Sequence, residues 1–163
     1  MSAGKNLEMN AIIQPLRKPS WLKVRPPYSG GCRHVRSTLS GLKLHTVCQE
    51  AACPNMAECF ESGTATFLIL GNICTRDCLY CNVAHGIPQT PDKQEVDHLL
   101  DAIRLMNLNY VVITSVTRDD LTDGGASAFA DAVARLRGEL PNCKVEVLSP
   151  DFQGSEDALE RVM

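Results

Sequence analysis

Six of the eight cysteines in this 163-residue chain fall between Cys48 and Cys81, and they divide into two triads. Cys48, Cys53 and Cys59 follow a C-x4-C-x5-C spacing, while Cys74, Cys78 and Cys81 follow C-x3-C-x2-C. The N-terminus lacks the apolar core of a secretory signal. A disulfide framework is therefore not expected, because reducing compartments keep thiols free. Clustered free thiols bind metal, so the fold has to bring each triad to a point. Cys32 and Cys143 stand apart. Cys143 reads as a small core residue, and Cys32 carries no assigned role.

The rest of the pattern limits what can surround the triads. Thr66 to Leu70 is a nearly continuous apolar run bounded by Gly63 and Gly71, as in a strand buried on both faces. Pro91-Asp92 opens a helix whose stripe is Val96, Leu99, Leu100, Ile103 and Met106. Tyr110 to Thr114 is a second buried strand, rich in β-branched residues. Asp123-Gly124-Gly125 then makes a tight turn into a helix with Ala126, Phe129, Ala130, Val133 and Leu136 on one face. Pro141-Asn142 ends that helix, Lys144 to Leu148 forms a third strand, and a last helix begins near Ser155. The alternation predicts an α/β fold with a parallel sheet and crossover helices. Three βα units do not close a barrel. The expected class is a partial TIM-like (β/α) barrel truncated after about three units, because the chain stops at Met163 just inside a helix.

Upstream, Pro15, Pro19, Pro26-Pro27 and Gly30-Gly31 predict an irregular arm with short helical pieces. Up to Val47 there are eight Lys or Arg against one acid, Glu8, and the remainder has eight basic and eighteen acidic residues. The division expected is a basic N-terminal arm over 1–47, a first-triad segment over 48–63 and the barrel portion over 64–163. A solvated extension is the simplest reading of the arm; docking on an acidic partner through Lys18, Lys23 and Arg25 is the functional one. No aromatic residues interleave with the basic ones in a way that suggests base stacking, which argues against nucleic acid. No apolar run approaches the roughly 18 residues of a membrane span. A bacterial cytoplasmic location is expected, with an organellar leader left open by the basic, acid-poor arm.

The second triad immediately follows the first strand, where parallel α/β folds carry their chemistry. Three thiolates from one loop can hold three irons of a [4Fe–4S] cluster and leave the fourth open to a small molecule, whereas an electron-transfer cluster uses four. Zinc is the alternative. It prefers four closed ligands, and His85 stands close enough in sequence to supply one. The first triad does not have the usual paired zinc spacing, and it too suggests a cluster with one iron satisfied from elsewhere.

The C-x3-C-x2-C spacing, with Tyr80 before its last cysteine, resembles the signature of the radical-SAM superfamily. His45-Thr46-Val47-Cys48-Gln49-Glu50-Ala51-Ala52-Cys53-Pro54-Asn55 and Glu58-Cys59, with Gly71-Asn72-Ile73-Cys74-Thr75-Arg76-Asp77-Cys78, resemble the lipoyl synthases of that superfamily. The resemblance continues through Arg118-Asp119-Asp120-Leu121, Asp123-Gly124-Gly125-Ala126, and Glu146-Val147-Leu148 to Pro150-Asp151-Phe152, and covers roughly Trp21 to the end.

It implies a radical-SAM barrel with two [4Fe–4S] clusters. The one at Cys74, Cys78 and Cys81 binds S-adenosylmethionine, with Tyr80, Ser115 and Arg118 contributing to the cofactor site. The one at Cys48, Cys53 and Cys59 is the auxiliary cluster consumed as the sulfur source. The reaction implied is insertion of sulfur at C6 and C8 of an octanoyl group. That group is carried by a lipoyl carrier protein or lipoyl domain, and a ferredoxin or flavodoxin supplies electrons. In that family the fourth ligand of the auxiliary cluster is a serine in a C-terminal Arg-Ser-Ser-Tyr motif. This sequence does not contain the motif, and Arg36-Ser37-Thr38 is an echo in the wrong place. The chain is accordingly expected to be incomplete for activity. A non-catalytic iron–sulfur electron-transfer or metal-binding module is the competing function.

Residue by residue, simpler roles compete with the functional ones. Ser115 could make a strand-to-loop hydrogen bond. Arg118 could pair with Asp119 or Asp120 in place of a cofactor carboxylate. His45 could brace the first triad. Asp123-Gly124-Gly125 lacks the Lys-Ser/Thr of a phosphate loop.

Overall fold

The structure, a computed structural model, describes residues 30–163 and Pro19, and of residues 30–34 the backbone path only. Lys18, Lys23 and Arg25 with their docking role, and the Cys32 side chain, lie outside the described residues.

The run of Thr, Phe, Leu and Ile around Phe67 forms β2 (Thr64–Ile69), and the β-branched run after it forms β3 (Tyr110–Ser115). Parallel neighbours need a crossover, and the amphipathic segment between them supplies it as α4 (Glu95–Leu105). The next crossover, α5 (Ala126–Glu139), delivers β4 (Lys144–Leu148), again parallel to β3. A short 3-10 turn at Phe152–Gly154 leads into α6 (Glu156–Val162), whose N-terminus is capped by the Ser155 hydroxyl accepting from Ala158 N–H. Phe67 aligns with Ile113 and Ile113 with Val147, so the carboxyl ends of the three strands share one edge.

Apolar faces explain the packing. Phe67, Ile69, Val111 and Ile113 are buried with Leu99, Leu100 and Ile103 of α4 and Phe129 and Leu136 of α5. The predicted stripe of α5 needs one change: Ala132 is fully buried, while Ala130 and Val133 are half-buried, because the helix is rotated slightly about its axis. β4 alternates between half-buried Val145 and Val147 and exposed Lys144, Glu146 and Leu148. That is the pattern of an edge strand with one face packed.

The segment before the sheet differs more. A 12-residue helix α1 (Gly30–Gly41) stands where an irregular arm was expected. All the prolines of that region precede residue 30, so they cannot interrupt it, and Val35 and Leu39, four residues apart, bury on one face. β1 (His45–Thr46) then pairs antiparallel with β2 through His45–Leu68 and Thr46–Phe67. Two short helices follow, α2 (Val47–Glu50) and α3 (Met56–Glu61), burying Met56, Ala57 and Phe60. The four-stranded sheet has the order β1-β2-β3-β4 and is open. The architecture is α/β, the mixed sheet of a partial barrel. No helix among the described residues is long and apolar enough to cross a membrane.

Candidate metal centre

The first triad is built on α2 and α3. Thr46 caps α2 by accepting from Gln49 N–H, which places Cys48 in the first turn, buried. The chain then reverses through Ala52 in the left-handed region (φ 49°), and Cys53 N–H returns to the Cys48 carbonyl at 3.0 Å. Cys59 sits in α3. Burial pushes the Cys48 thiol up, and the nearby Cys53 and Cys59 add to the rise, so the three sulfurs share one electrostatic neighbourhood. His45 pairs with Glu50, 3.1 Å away at the far end of α2.

The second triad occupies the loop after β2. Cys74 is fixed by backbone: its N–H donates to the Ala84 carbonyl at 2.8 Å and its carbonyl accepts from Gly86 N–H at 2.9 Å. Its sulfur accepts from Arg76 N–H at 3.4 Å. Cys78 and Cys81 close a turn through Cys81 N–H to the Cys78 carbonyl, 2.9 Å. Tyr80 is almost fully exposed, and charge on Cys78, with a hydrogen bond to it, pushes the phenol up. The two triads adjoin: Asn82, next to Cys81, donates to the carbonyl of Glu50, two residues past Cys48, at 2.9 Å.

The donor chemistry fits clusters. A single zinc ion draws its ligands to one point. Each segment offers three cysteine sulfurs, the donors that iron–sulfur clusters take, and His85, which could complete a zinc site, is 3.3 Å from Asp77. A cubane cluster fastens each thiolate to a different iron, so its sulfurs stand further apart than the ligands of one ion.

Beneath the second triad, Leu70 marks the exit from β2. Its φ of 66° ends the strand one residue earlier than the apolar run suggested. Two charged side chains hold its peptide groups. Glu95 accepts from Leu70 N–H at 2.9 Å and Gly71 N–H at 3.4 Å, and Arg118 Nη1 donates to the Leu70 carbonyl at 3.0 Å. Burial pushes the Glu95 carboxyl up, against the pull of those two N–H groups. Arg118 is 1% exposed, and its Nε and Nη2 grip Asp120 at 2.8 and 2.7 Å. The bonds to Asp120 raise its pKa. The simpler pairing weighed for Arg118 is thus present.

Ser115 aligns with Ile69 and, by strand alternation, shares the fully buried face of Ile113. Its Oγ is buried with no hydrogen-bond partner in the described structure. Thr114, on the opposite face, donates to the Leu148 carbonyl. A cavity of about 240 Å³ opens beside this exit, lined by His45, Leu70, Asn72, Ile73, Pro91 and Glu95 among others, with none of the six cysteines in its wall.

Sequence reasoning gave no role to Glu95, Arg76 or Asp151, and offered Asp119 only as a partner for Arg118, whereas it pairs with Arg76. Arg76 lies inside the C-x3-C spacer, and its Nε and Nη2 bond Asp119 at 2.7 and 2.8 Å while Nη1 and Nη2 bond Asp151 at 2.7 and 3.0 Å. Asp119 also accepts from Gln153 and Thr75. These bonds, Arg76 foremost, hold the Asp119 carboxyl down to about 2 from its ordinary 3.8. A depressed carboxyl stabilises the fold fully above its unfolded pKa and ceases to do so as pH falls through the folded one. Asp119 faces Arg76, with Asp120 and Asp151 as neighbouring acids. The metal-free chain should therefore lose stability between about pH 4 and pH 2. In Asp119→Asn that window should be shallower in thermal melts.

The profile of the radical SAM superfamily matches residues 68–163. The chain belongs to the radical SAM superfamily. The profile of the N-terminal domain of lipoyl synthase in that family matches residues 4–53. A lipoyl synthase of Nitrosomonas eutropha is 55% identical over 157 residues, covering 96% of this chain and 50% of that protein. Those of Nitrosospira multiformis and Rubrobacter xylanophilus are 55% and 52% identical, covering 91% and 90% of this chain and 48% and 46% of theirs. The chain spans about half the length of these relatives and is similar to lipoyl synthases throughout that span. Radical SAM membership of this kind implies S-adenosylmethionine and [4Fe–4S] clusters as cofactors.

Proposed function

We propose that the chain carries the two iron–sulfur centres of a lipoyl synthase. The observation that supports this most is the hydrogen bond from Asn82, next to Cys81, to the Glu50 carbonyl, two residues past Cys48, which joins two three-cysteine segments beside a largely parallel sheet. Cys74, Cys78 and Cys81 would hold one [4Fe–4S] cluster with an open iron for S-adenosylmethionine, and Cys48, Cys53 and Cys59 the other. When bound, these groups supply a 5′-deoxyadenosyl radical from the first-named centre and sulfur from the second.

The protein's own part is positioning. Arg76 N–H donates to the Cys74 sulfur and helps orient it. Tyr80 stands next to Cys78 and Cys81. Ser115 brings to the end of β3 a hydroxyl without a hydrogen-bond partner among the described residues, and Arg118 acts from beneath by holding Leu70. The substrate would be an octanoyl group on a lipoyl carrier protein or lipoyl domain, converted by sulfur insertion at C6 and C8. A ferredoxin or flavodoxin would supply the electrons.

Anaerobic reconstitution, with iron and sulfide counted and electron paramagnetic resonance recorded with and without S-adenosylmethionine, tests this reading. Two clusters, one of them responding to the cofactor, are expected. Cys78→Ala should roughly halve the iron and abolish the cofactor response; Cys53→Ala should roughly halve the iron and keep the response. Zinc without sulfide would overturn the reading. Clusters blind to the cofactor would assign the chain to electron transfer or metal storage.

A further inference from the structure

The loop from Gly71 to Ala84 has little apolar anchorage. Leu79 and Tyr80 at its tip, and Ile87 just beyond, are almost fully exposed. Its position therefore depends on polar bonds. Cys74 is pinned by its own backbone, but Cys78 and Cys81 lie beyond it and are tied mainly to each other. Between them stands Arg76, and its guanidinium makes four hydrogen bonds to the carboxylates of Asp119 and Asp151.

Those two acids follow β3 and β4, while Arg76 follows β2. One planar fork thus joins the carboxyl ends of three adjacent parallel strands. The connection is reinforced from both sides. Thr75 N–H and Oγ1 both donate to the Thr117 carbonyl, at 3.1 and 3.0 Å, and Asp119 N–H donates to Thr75 Oγ1 at 3.2 Å. Gln153 donates through its backbone N–H to Asp151 and through Nε2 to Asp119. Isolated surface ion pairs contribute little, but bidentate arginine in a network is the exception.

We infer that Arg76 is the positioning residue of the second triad: by gripping Asp119 and Asp151 together it sets residues 74–81 over the strand ends, so that three thiolates present one fixed face before any cluster arrives. The fork is what matters. A lysine keeps the charge but cannot span two carboxylates in a plane. The clasp itself stands on hydrogen bonds alone; its consequence for the cofactor rests on the function proposed above.

The test has two arms. In the metal-free chain, amide hydrogen exchange over residues 75–81 should rise about tenfold in Arg76→Ala and in the double variant Asp119→Asn/Asp151→Asn, with β2 and β3 unchanged and Arg76→Lys in between. In the reconstituted chain, Arg76→Ala should weaken S-adenosylmethionine binding about tenfold and broaden or remove the cofactor-responsive paramagnetic signal. Iron held by the first triad should stay at the wild-type level, and Arg76→Lys should rescue only part of the loss.

Unchanged exchange in Arg76→Ala would overturn the clasp. Faster exchange with wild-type binding and signal would reduce Arg76 to a structural tether and overturn its positioning role. A wild-type chain whose clusters ignore the cofactor would overturn the proposed function instead, and the exchange arm would still decide the clasp.

Discussion

Gly125→Ala is expected to destabilise the chain by about 3 kcal/mol, combining left-handed backbone strain with overpacking. Gly125 precedes α5 with φ of 93°, a conformation alanine adopts at a cost. A β-carbon built there would overlap Leu70 Cδ1. Leu70 cannot easily retreat: its side chain is buried, and its peptide groups are held by Glu95 and Arg118. The added methyl would therefore push on the residue that launches the second-triad loop. Gly138→Ala is the control of opposite sign. Gly138 lies in the last turn of α5 with nothing near the position of a new β-carbon. Its replacement should stabilise by up to about 1 kcal/mol through helix propensity. Urea denaturation of the metal-free variants reads both, and equal midpoints would refute the role given to the Gly125–Leu70 fit.

That fit also shows where the sequence was legible and where it was not. The three parallel strands and two crossover helices follow from local pattern: apolar runs around Phe67 and Ile113, and a helical stripe through Leu99, Leu100 and Ile103. β1, α2 and α3 did not, because a strand of two residues and helices of four and six are too short for their own periods to show. The two triads were visible as spacing, since cysteines with that spacing have few bland explanations.

What holds the triads was hidden, because it depends on partners far apart in sequence. Arg76 meets an aspartate 75 positions away, and Leu70 meets Glu95 and Arg118 on two later elements. Glu95 carries no signal of its own, since an acid in the first turn of a helix is an ordinary response to the helix dipole. Leu70 looked like a fifth strand residue, and only its clamped peptide groups explain a left-handed leucine there.

Arg118→Leu should cost about 3 kcal/mol, within the range for breaking a buried charged contact. The guanidinium is 1% exposed, so its loss leaves a buried void, strips the Leu70 carbonyl of its donor and removes the positive charge near Glu95. Asp120 is different. Its side chain is 38% exposed, so water can replace Arg118 as its partner.

Asp120→Asn should cost less, about 1.5 kcal/mol, because the amide oxygen keeps one of the two bonds from Arg118 and only the other is lost. The asymmetry separates two accounts of Arg118. If the ion pair were its purpose, the two variants would be destabilised alike. If the bond to Leu70 is, Arg118→Leu should be far worse, and amide exchange should quicken at Leu70 and Gly71 only in that variant. Glu95 adds a directional check. Its carboxyl is already pushed up by burial, so its charged form opposes folding more as pH rises through the raised pKa. Without Arg118 nearby the pKa should climb further, and Arg118→Leu should become relatively more stable in mildly acidic buffer than at neutral pH. A variant whose deficit stays constant across that range would show that Arg118 does not act on the Glu95–Leu70 clamp.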